Sequence, residues 1–437
     1  MTKPLVAIVG RPNVGKSTLF NRLVGHSKAI VSDSPGTTRD RITATIPWKE
    51  GSMILIDTGG IESSHMSEPL EQVMHQVDLA IKESDILLFV VDVNDGVTHQ
   101  DIEIADSIRK LGKLSILTIN KVDNHQKELQ AMEFYQLALG DPLLISAYHN
   151  LGISDLLDEL NNLLPPEPDT DDILEGPRFA ILGRPNVGKS SLINAILGND
   201  RTIVSSVPGT TRDSIDIQFH FDNEPISLID TAGVRKSGKV ESGIEKYSVL
   251  RTIRALENSD VCLLLTDASE ILANQDTHIA GYIKDSFKGV VVVVNKWDLI
   301  QDQMTQEEAT FEIRRRLKFI PYAPICFTSA INRIGVENAV KTAIEVYRHG
   351  KTMISRSDLK RVLISALASH MPPSRGGKNL RISRMYQKDV SPPTFVTFVN
   401  NPELIHFSYR RYLENQLRLA FGFKGNPLQL IFSKRGR

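Results

Sequence analysis

The chain has 437 residues, of which 41% are hydrophobic and 24% are charged, the balance of an ordinary globular protein with room for roughly two to four domains. Its longest apolar runs, such as residues 86–91 and 290–294, are much shorter than the ~20 residues that span a bilayer. We therefore expect no membrane partner and a cytoplasmic location. Cys262 and Cys326 lie in apolar runs without ligand spacing, which predicts buried thiols rather than a metal or redox centre.

The charge is unevenly distributed along the chain, although the net charge is only −1. Residues 351–437 carry 16 Lys and Arg against 4 Asp and Glu, a balance of +12, whereas residues 1–350 carry 35 against 48, a balance of −13. A second break in composition is PPEPDTDDILEGP at residues 165–177, with five acids and no base. Such a segment stays extended and solvated. We predict an acidic linker here and a basic module at the C-terminus.

The predicted elements before that module alternate between strands and helices. MTKPLVAIVG leads from a first strand into a glycine loop and a helix. Further strands are predicted at residues 52–57, 85–92 and 114–120, and again at 226–230, 260–267 and 289–295. Near-continuous apolar runs of this kind are typical of a mostly parallel sheet with helices on both faces, so the fold class is α/β.

The basic module has a different order of predicted elements. The pattern predicts a helix at 359–369, strands at 380–387 and 394–400, a helix at 409–421 and a strand at 427–432. This is the order of a small α+β domain. Its nine Phe and Tyr residues are expected to build mostly its core rather than to stack on bases.

Five short motifs occur twice. GRPNVGKS at 10–17 and 183–190, PGTTRD at 35–40 and 208–213, and DTGG at 57–60 with DTAG at 230–233 all keep an offset of 173. NKVD at 120–123 and NKWD at 295–298 follow at 175, and SA at 146–147 and 329–330 at 183. Motifs in near-constant register indicate a duplicated domain. The predicted domains are residues 1–164 and 178–349, joined by the linker 165–177 and followed by the basic module at 350–437.

The octapeptide predicts a phosphate site in each copy. Its glycines let successive N–H groups and a helix N-terminus point at phosphate oxygens. Lys16 and Lys189 reach the β and γ phosphates, and the hydroxyls of Ser17 and Ser190 can bind Mg²⁺. The metal ligands predicted in addition to these serines are Thr38, Asp57, Thr211 and Asp230, the aspartates through water.

NKxD selects GTP over ATP. The carboxylates of Asp123 and Asp298 can accept both guanine N1–H and the exocyclic amine, whereas adenine would leave them unpaired. Asn120 and Asn295 would brace the base loops, and the backbone at the SA pairs would meet the guanine carbonyl. Nucleotide contacts are predicted in the first copy at Gly10, Arg11, Pro12, Asn13, Val14, Gly15, Lys16, Ser17, Thr18, Asp57, Thr58, Gly59, Gly60, Ile61, Asn120, Lys121, Val122, Asp123, Ser146 and Ala147. The corresponding positions of the second copy are Gly183, Arg184, Pro185, Asn186, Val187, Gly188, Lys189, Ser190, Ser191, Asp230, Thr231, Ala232, Gly233, Val234, Asn295, Lys296, Trp297, Asp298, Ser329 and Ala330.

Two such GTPase domains followed by a basic domain resemble the Der, or EngA, family of bacterial tandem GTPases. The resemblance covers essentially the whole chain and includes AGVRKSGKVESGIEKYSVLRTIRAL at 232–256. It implies GTP hydrolysis, a role in maturation of the large ribosomal subunit with ribosomal RNA as partner, and a KH-like fold for the basic module. A KH domain that clamps single-stranded RNA uses a GxxG loop, whereas SRGGKN at 374–379 has adjacent glycines. We expect RNA but not DNA as a partner, and a monomer.

The residue after each DxxG glycine is aliphatic, Ile61 or Val234, where a Ras-type enzyme has its water-orienting Gln. One interpretation is that both sites bind GTP but hydrolyse it negligibly unaided. The other uses Asn13 and Asn186, which in GTPases of this type help to hold a K⁺ near the β and γ phosphates, although the Asn could merely brace its loop. The residues predicted to take part in hydrolysis are Asn13, Lys16, Thr38, Gly60, Asn186, Lys189, Thr211 and Gly233.

Two rival functions are compatible with the motifs. A non-catalytic RNA-binding scaffold could use GTP only as a structural ligand. The tRNA-modifying GTPase shares GTTRD and NKxD, but it has a single GTPase domain and a C-terminal cysteine motif that is absent here.

Overall fold

The chain divides into two compact units, Met1–Ile173 and Leu174–Arg437. The computed structural model describes residues 4–26, 43–48, 51–58, 81, 83–163, 176–199, 202–204, 217–229, 249–372, 374–375 and 378–434. None of the helices in these ranges combines the length and the apolar character that a bilayer crossing needs.

The first unit is built on a six-stranded sheet of order β2-β3-β1-β4-β5-β6, parallel except for the pair β2 and β3. Its strands are β1 (Leu5–Val9), β2 (Thr43–Trp48), β3 (Gly51–Asp57), β4 (Ile86–Asp92), β5 (Leu114–Asn120) and β6 (Leu143–Leu144). Its described helices are α1 (Lys16–His26), α2 (His99–Leu111), α3 (His125–Gln130) and α4 (Ile153–Leu163), with a 3₁₀ helix at Ala131–Leu137. Every residue of β1 and β4 is buried, as expected for central strands covered on both faces.

The first part of the second unit repeats this plan with a seven-stranded sheet of order β13-β12-β11-β7-β10-β9-β8. The strands are β7 (Arg178–Leu182), β8 (Thr202–Val204), β9 (Ile217–Phe221), β10 (Glu224–Ile229), β11 (Val261–Asp267), β12 (Gly289–Asn295) and β13 (Ile325–Phe327). The described helices are α5 (Lys189–Leu197), α6 (Val249–Asn258), α7 (Asn274–Asp285), α8 (Gln306–Arg316) and α9 (Val336–Gly350), with 3₁₀ helices at Ala268–Glu270 and Trp297–Leu299.

Both faces of this second sheet are buried. Leu263 packs into one hydrophobic cluster, while its neighbours Cys262 and Leu264 pack into the cluster on the opposite face. The α/β prediction is thus confirmed, with an antiparallel edge formed by β8, β9 and β10. The turn between β9 and β10 places Asp222 and Asn223 at φ of 50° and 68°, a conformation that favours tight hairpins and suits these two residue types.

The two cysteines are buried and free, as predicted. Cys262 lies against the Ser259 hydroxyl at 3.4 Å, and burial raises the pKa of its thiol to about 11. Burial also raises the pKa of the Cys326 thiol. Both side chains therefore act as small apolar residues in the core.

The predicted order of helix, strand, strand, helix and strand is confirmed in the C-terminal module, and a short hairpin at residues 374–379 that was not predicted lies between the first helix and the first of these strands. The module contains α10 (Arg356–Ser369), β14 (Ser374–Arg375), β15 (Lys378–Asn379), β16 (Ile382–Val390), β17 (Pro393–Val399), a 3₁₀ helix at Pro402–Leu404, α11 (Phe407–Phe421) and β18 (Gln429–Lys434). The sheet order is β16-β17-β18, with β17 and β18 parallel. Strand β16 extends beyond the predicted end at residue 387, because an irregularity between Gln387 and Asp389 lets its pairing with β17 continue to Val390.

Most aromatic side chains of this module build its core, as expected. Six of the nine belong to the core cluster or pack against it: Phe395, Tyr409, Tyr412, Phe421, Phe423 and Phe432. Tyr386 and Phe398 lie outside that cluster and stack on each other with ring centroids 6.0 Å apart. By strand alternation they occupy the sheet face opposite the helices.

A glycine turn attaches the module to the second GTPase sheet. Gly425 accepts a hydrogen bond from Val290 N–H at 2.8 Å and donates one to the Tyr322 carbonyl at 2.9 Å. The adjacent Asn426, 5% exposed, donates through Nδ2 to the Val346 carbonyl at 2.7 Å. Gly425 has φ of +72°, and a Cβ there would lie 2.3 Å from the Val346 side chain. Only glycine fits this approach without displacement.

Candidate nucleotide-binding sites

The glycine loops lie against the base-binding loops in both copies. Gly15 and Gly188 have φ of +97° and +95°, and a Cβ added to either would lie 2.3 or 2.4 Å from the side-chain nitrogen of Asn120 or Asn295. Glycine is therefore required here both by backbone conformation and by the close approach. The same packing in both copies brings residues more than 100 positions apart into one site.

The P-loop lysines occupy equivalent positions. Lys16 Nζ donates to the carbonyls of Gly10 at 2.6 Å and Arg11 at 3.0 Å. Lys189 Nζ donates to the carbonyls of Gly183 at 3.0 Å and Arg184 at 2.9 Å. Each ammonium group is thereby held inside the curve of its loop, where the backbone N–H groups of a P-loop face phosphate oxygens.

Asn120 and Asn295 connect three loops, which supports the bracing role inferred from the sequence. Asn120 Nδ2 donates to the Val14 carbonyl at 2.9 Å, and its Oδ1 accepts from Ala147 N–H at 3.0 Å. Asn295 repeats both bonds with Val187 and Ala330 at the same distances. One amide side chain in each copy therefore fixes the phosphate loop and the SA loop relative to each other.

The lysines of the NKxD motifs are also fixed. Lys121 and Lys296 have φ of 68° and 60°, and Lys296 Nζ forms an ion pair with Asp267 at 2.6 Å. Lys121 pairs with the equivalent Asp92 and also donates to the Asn13 carbonyl at 3.2 Å. Each lysine stem is therefore held along the edge where the base is expected, which is compatible with its covering the base.

The arginine of each octapeptide anchors the loop through its side chain. Arg11 contacts Asp95 at 2.7 Å and the fully buried Asp101 at 3.3 Å. Arg184 contacts the equivalent Glu270, and lies 3.5 Å from the fully buried Asp276. The sequence predicted nucleotide contacts at both arginines, but it did not reveal these carboxylates, because ion pairs between residues more than 80 positions apart leave no local pattern.

The structure describes three of the six residues predicted to bind Mg²⁺, namely Ser17, Asp57 and Ser190. Asp57 is fully buried at the end of β3, and Thr58 donates to the Ile8 carbonyl at 2.8 Å. Ser17 and Ser190 lie in the first turns of α1 and α5. Hydroxyl and carboxylate oxygens are ligands that Mg²⁺ prefers, so this donor set fits the ion. The predicted site residues outside the described ranges are Thr38, Gly59, Gly60, Ile61, Thr211, Asp230, Thr231, Ala232, Gly233 and Val234.

Asn13 and Asn186 share an unusual geometry. Their φ values are 68° and 65°, which asparagine tolerates better than most residues. Both residues are exposed, and neither side chain has a hydrogen bond within the parts of the chain that the structure describes.

Two further side chains at the first site were not predicted. Arg22 on α1 donates to the carbonyls of Ala147 at 2.9 Å and Tyr148 at 2.8 Å, which holds the SA loop. Lys127 on α3 contacts Asp123. The spacing of four residues between Asp123 and Lys127 is a signal that could have identified this second contact from the sequence.

Two family profiles and several curated relatives match this chain. A family profile described as "50S ribosome-binding GTPase" matches residues 5–121 and 178–296. A second, "KH-domain-like of EngA bacterial GTPase enzymes, C-terminal", matches residues 353–433. Curated relatives named "GTPase Der" include one from Thermomicrobium roseum, 47% identical over 100% of this chain and 97% of the relative. Another from Symbiobacterium thermophilum is 48% identical over 99% and 93%, and one from Staphylococcus carnosus is 46% identical over 100% of both.

Proposed function

The chain belongs to the Der, or EngA, family of tandem GTPases, and from that premise we propose that it binds ribosomal RNA in a nucleotide-dependent way during assembly of the large ribosomal subunit. The protein is a GTP-binding switch that hydrolyses GTP. The proposal adds the large ribosomal subunit and its RNA as partners. It is supported by the profile that matches residues 5–121 and 178–296, which describes a 50S ribosome-binding GTPase. In this proposal residues 1–164 and 178–349 are the two GTPase domains, 165–177 the linker and 350–437 the RNA-binding module, and the chain acts as a monomer in the cytoplasm.

The observation that carries the RNA assignment is a cationic and aromatic surface on the C-terminal module. Arg384 lies over the Phe398 ring, with its guanidinium carbon 4.3 Å from the centroid, and Tyr386 stacks on the same ring. Within the described ranges, Arg384 has no carboxylate partner. Single-stranded RNA is held by aromatic stacking together with cationic side chains. This surface is an alternative to the groove of a GxxG loop between two helices, because the GxxG string of this module, GFKG at 422–425, lies between α11 and β18.

We expect Tyr386→Ala to weaken binding of a ribosomal RNA fragment by on the order of 10-fold, because loss of one base stack costs ~1–3 kcal/mol. Arg384→Ala should also weaken binding and lower its dependence on salt. Arg361→Ala is a matched control, because it removes the same charge from an arginine that pairs with Asp358 at 2.7 Å on α10. Titration of fluorescent RNA at two salt concentrations measures both effects. Equal losses in Arg361→Ala and Arg384→Ala would contradict a specific surface.

The rival scaffold function differs in its use of GTP. A scaffold that keeps GTP as a structural ligand releases no phosphate, whereas hydrolysis at either site does. Phosphate release by the purified chain separates the two. Loss of release in the double variant Lys16→Ala/Lys189→Ala would show that the two P-loops are the source.

In the proposed sites, Ser17, Thr38, Ser190 and Thr211 would hold Mg²⁺ through their hydroxyls, and Asp57 and Asp230 would act through water. Bound in this way, the ion would neutralise charge on the β and γ phosphate oxygens. The lysines of the P-loops bind the same phosphates, and the fixed N–H groups of the loops orient them. Catalysis then depends on positioning and on electrostatic stabilisation of the charge that develops at the β–γ bridge.

We further propose that K⁺ is held at Asn13 and Asn186 and supplies a positive charge at that bridge. The exposed amides in left-handed backbone positions support this assignment. An arginine finger is worth ~10³–10⁵ in rate, and an untethered ion should contribute less.

Replacing K⁺ by Na⁺ at equal ionic strength should therefore slow hydrolysis at least several-fold, with GTP binding less affected. Asn13→Ala and Asn186→Ala should each abolish the K⁺ dependence of their own domain. Phosphate release measured in the two salts tests this expectation. Equal rates, combined with a large loss in Arg39→Ala or Arg212→Ala, would favour an arginine from the switch loops instead; both arginines lie outside the described residues.

A further inference from the structure

The two base-reading carboxylates have different surroundings, although their motifs are duplicated. In the first copy Lys127 Nζ lies 3.1 Å from both carboxylate oxygens of Asp123. The same ammonium group donates to the Lys121 carbonyl at 3.1 Å. Lys127 therefore ties the carboxylate to the backbone of its own NKxD loop.

A second residue completes this arrangement. Asn124 Nδ2 donates to Asp123 Oδ1 at 2.8 Å, while Asn124 Oδ1 accepts from Lys127 N–H at 3.0 Å as the N-cap of α3. The hydrogen bond and charge of Lys127, together with the charge of His149, lower the pKa of Asp123. One short helix thus holds the carboxylate in place through its cap and its first turn.

The second copy has none of these partners in the same positions. At the offset of 175 that relates NKVD to NKWD, Asn124 is replaced by Leu299 and Lys127 by Asp302. At the offset of 183 that relates the SA pairs, His149 is replaced by Asn332. In the described part of the second unit, Asp298 has neither an ion pair nor a side-chain hydrogen bond.

We propose that Lys127 and Asn124 are positioning residues that make the first site the stricter reader of guanine, and that the second site lacks this device. The inference rests on the proposed role of Asp123 and Asp298 in base recognition. It concerns how one carboxylate is oriented and is independent of ribosome binding.

The hydrogen-bonding capacity of the carboxylate explains the arrangement. An ionised carboxylate has about four acceptor positions, two on each oxygen. Asn124 donates to Oδ1 and Lys127 donates to Oδ2, and the contact of Lys127 Nζ with Oδ1 at 3.1 Å is an ion pair, so one acceptor position remains on each oxygen. Guanine presents two donors side by side, N1–H and the exocyclic amine, and needs one acceptor on each oxygen at the same time.

Orientation matters most for a base that uses both oxygens. Inosine triphosphate lacks the exocyclic amine and can be met by either oxygen of a carboxylate that rotates freely. Guanine requires both oxygens, so a carboxylate that is already held loses less freedom on binding it. Lys127 and Asn124 should therefore raise the preference for GTP over inosine triphosphate, whereas a merely structural role would change both affinities equally.

The test isolates each site in the full-length chain. Lys189→Ala leaves the first site for measurement, and Lys16→Ala leaves the second. Calorimetric titration with GTP and with inosine triphosphate gives the ratio of affinities at each site. We expect the ratio of GTP affinity to inosine triphosphate affinity to be larger at the first site than at the second. Lys127→Met should lower the ratio at the first site about three-fold, because exposed ion pairs contribute modestly. Adding Asn124→Ala should lower it about ten-fold in total.

The second site provides the reciprocal experiment. Introducing Leu299→Asn and Asp302→Lys together should raise its ratio by several-fold, and Lys127→Arg should retain most of the ratio at the first site. An unchanged ratio in Lys127→Met, or one that rises because Lys127 competes with guanine, would overturn the proposal. If Asp123→Asn also left GTP affinity unchanged, the base-reading assignment itself would fail; if that variant lost GTP, only the positioning role would be rejected.

Discussion

Replacing Lys16 by alanine should reduce the GTP bound by the protein from two equivalents to one, and Lys189→Ala should do the same through the other site. Each lysine is expected to bind two phosphates. A hydrogen bond to a charged group is worth ~1.5–3 kcal/mol, so the loss of two corresponds to roughly 10²–10⁴ in affinity. Calorimetric titration gives the stoichiometry and affinity for each variant.

The two lysine variants also test why the chain carries two sites. If each domain is loaded with GTP or GDP, four loading states exist, and ribosome association can differ among them. We therefore expect Lys16→Ala and Lys189→Ala to differ in their sedimentation with ribosomal particles. Lys341→Ala is a suitable control, because Lys341 lies on α9 and pairs with Glu337. Identical ribosome profiles for the two P-loop variants would indicate that the second site adds no control.

Asp298→Asn should exchange the base preference of the second site. The amide nitrogen would face the exocyclic amine of guanine, whereas xanthine has a carbonyl at that position. On the general scale for an unmet buried hydrogen-bonding group, discrimination of this kind reaches roughly 10⁴-fold. We expect weaker GTP binding and improved binding of xanthosine triphosphate, and the same exchange for Asp123→Asn at the first site.

Asp302→Asn is the matched control for this experiment, because it removes one carboxylate four residues away without altering the motif. Titration of Asp298→Asn in the Lys16→Ala background reports on the second site alone. Unchanged GTP affinity in both Asp123→Asn and Asp298→Asn would show that NKxD does not read the base in this chain.

Local pattern predicted most of the fold. The run at 289–295 is a strand over the predicted residues and is buried throughout, because a strand covered on both faces is almost continuously apolar. The run at 114–120 is also a strand over the predicted residues, buried from Ile116 onward. The antiparallel edge of the second sheet was not predicted. Its strands are short and partly polar, and their pairing depends on a turn at Asp222 and Asn223 whose signal is weak in isolation.

The motifs name the candidate site residues but do not reveal the contacts that support them. The motifs identify Asn120 as a loop brace, and its two hydrogen bonds fulfil that role. The ion pair from Arg11 to the buried Asp101 joins residues 90 positions apart. No periodicity links such residues, because the fold alone brings the N-terminus of α2 to the phosphate loop.

The glycine turn at Gly425 has a consequence for rotational diffusion. The C-terminal module is joined to the second GTPase domain by the two backbone hydrogen bonds of Gly425 and by the buried amide of Asn426. Arg418 adds a third contact, because its guanidinium carbon lies 4.3 Å from the Tyr322 ring centroid. Two bodies joined in this way tumble together, so amide ¹⁵N relaxation in residues 178–349 and 350–437 should give one common correlation time. A bulky residue at position 425 would separate these motions, and the module would then reorient faster than the GTPase sheet that carries it.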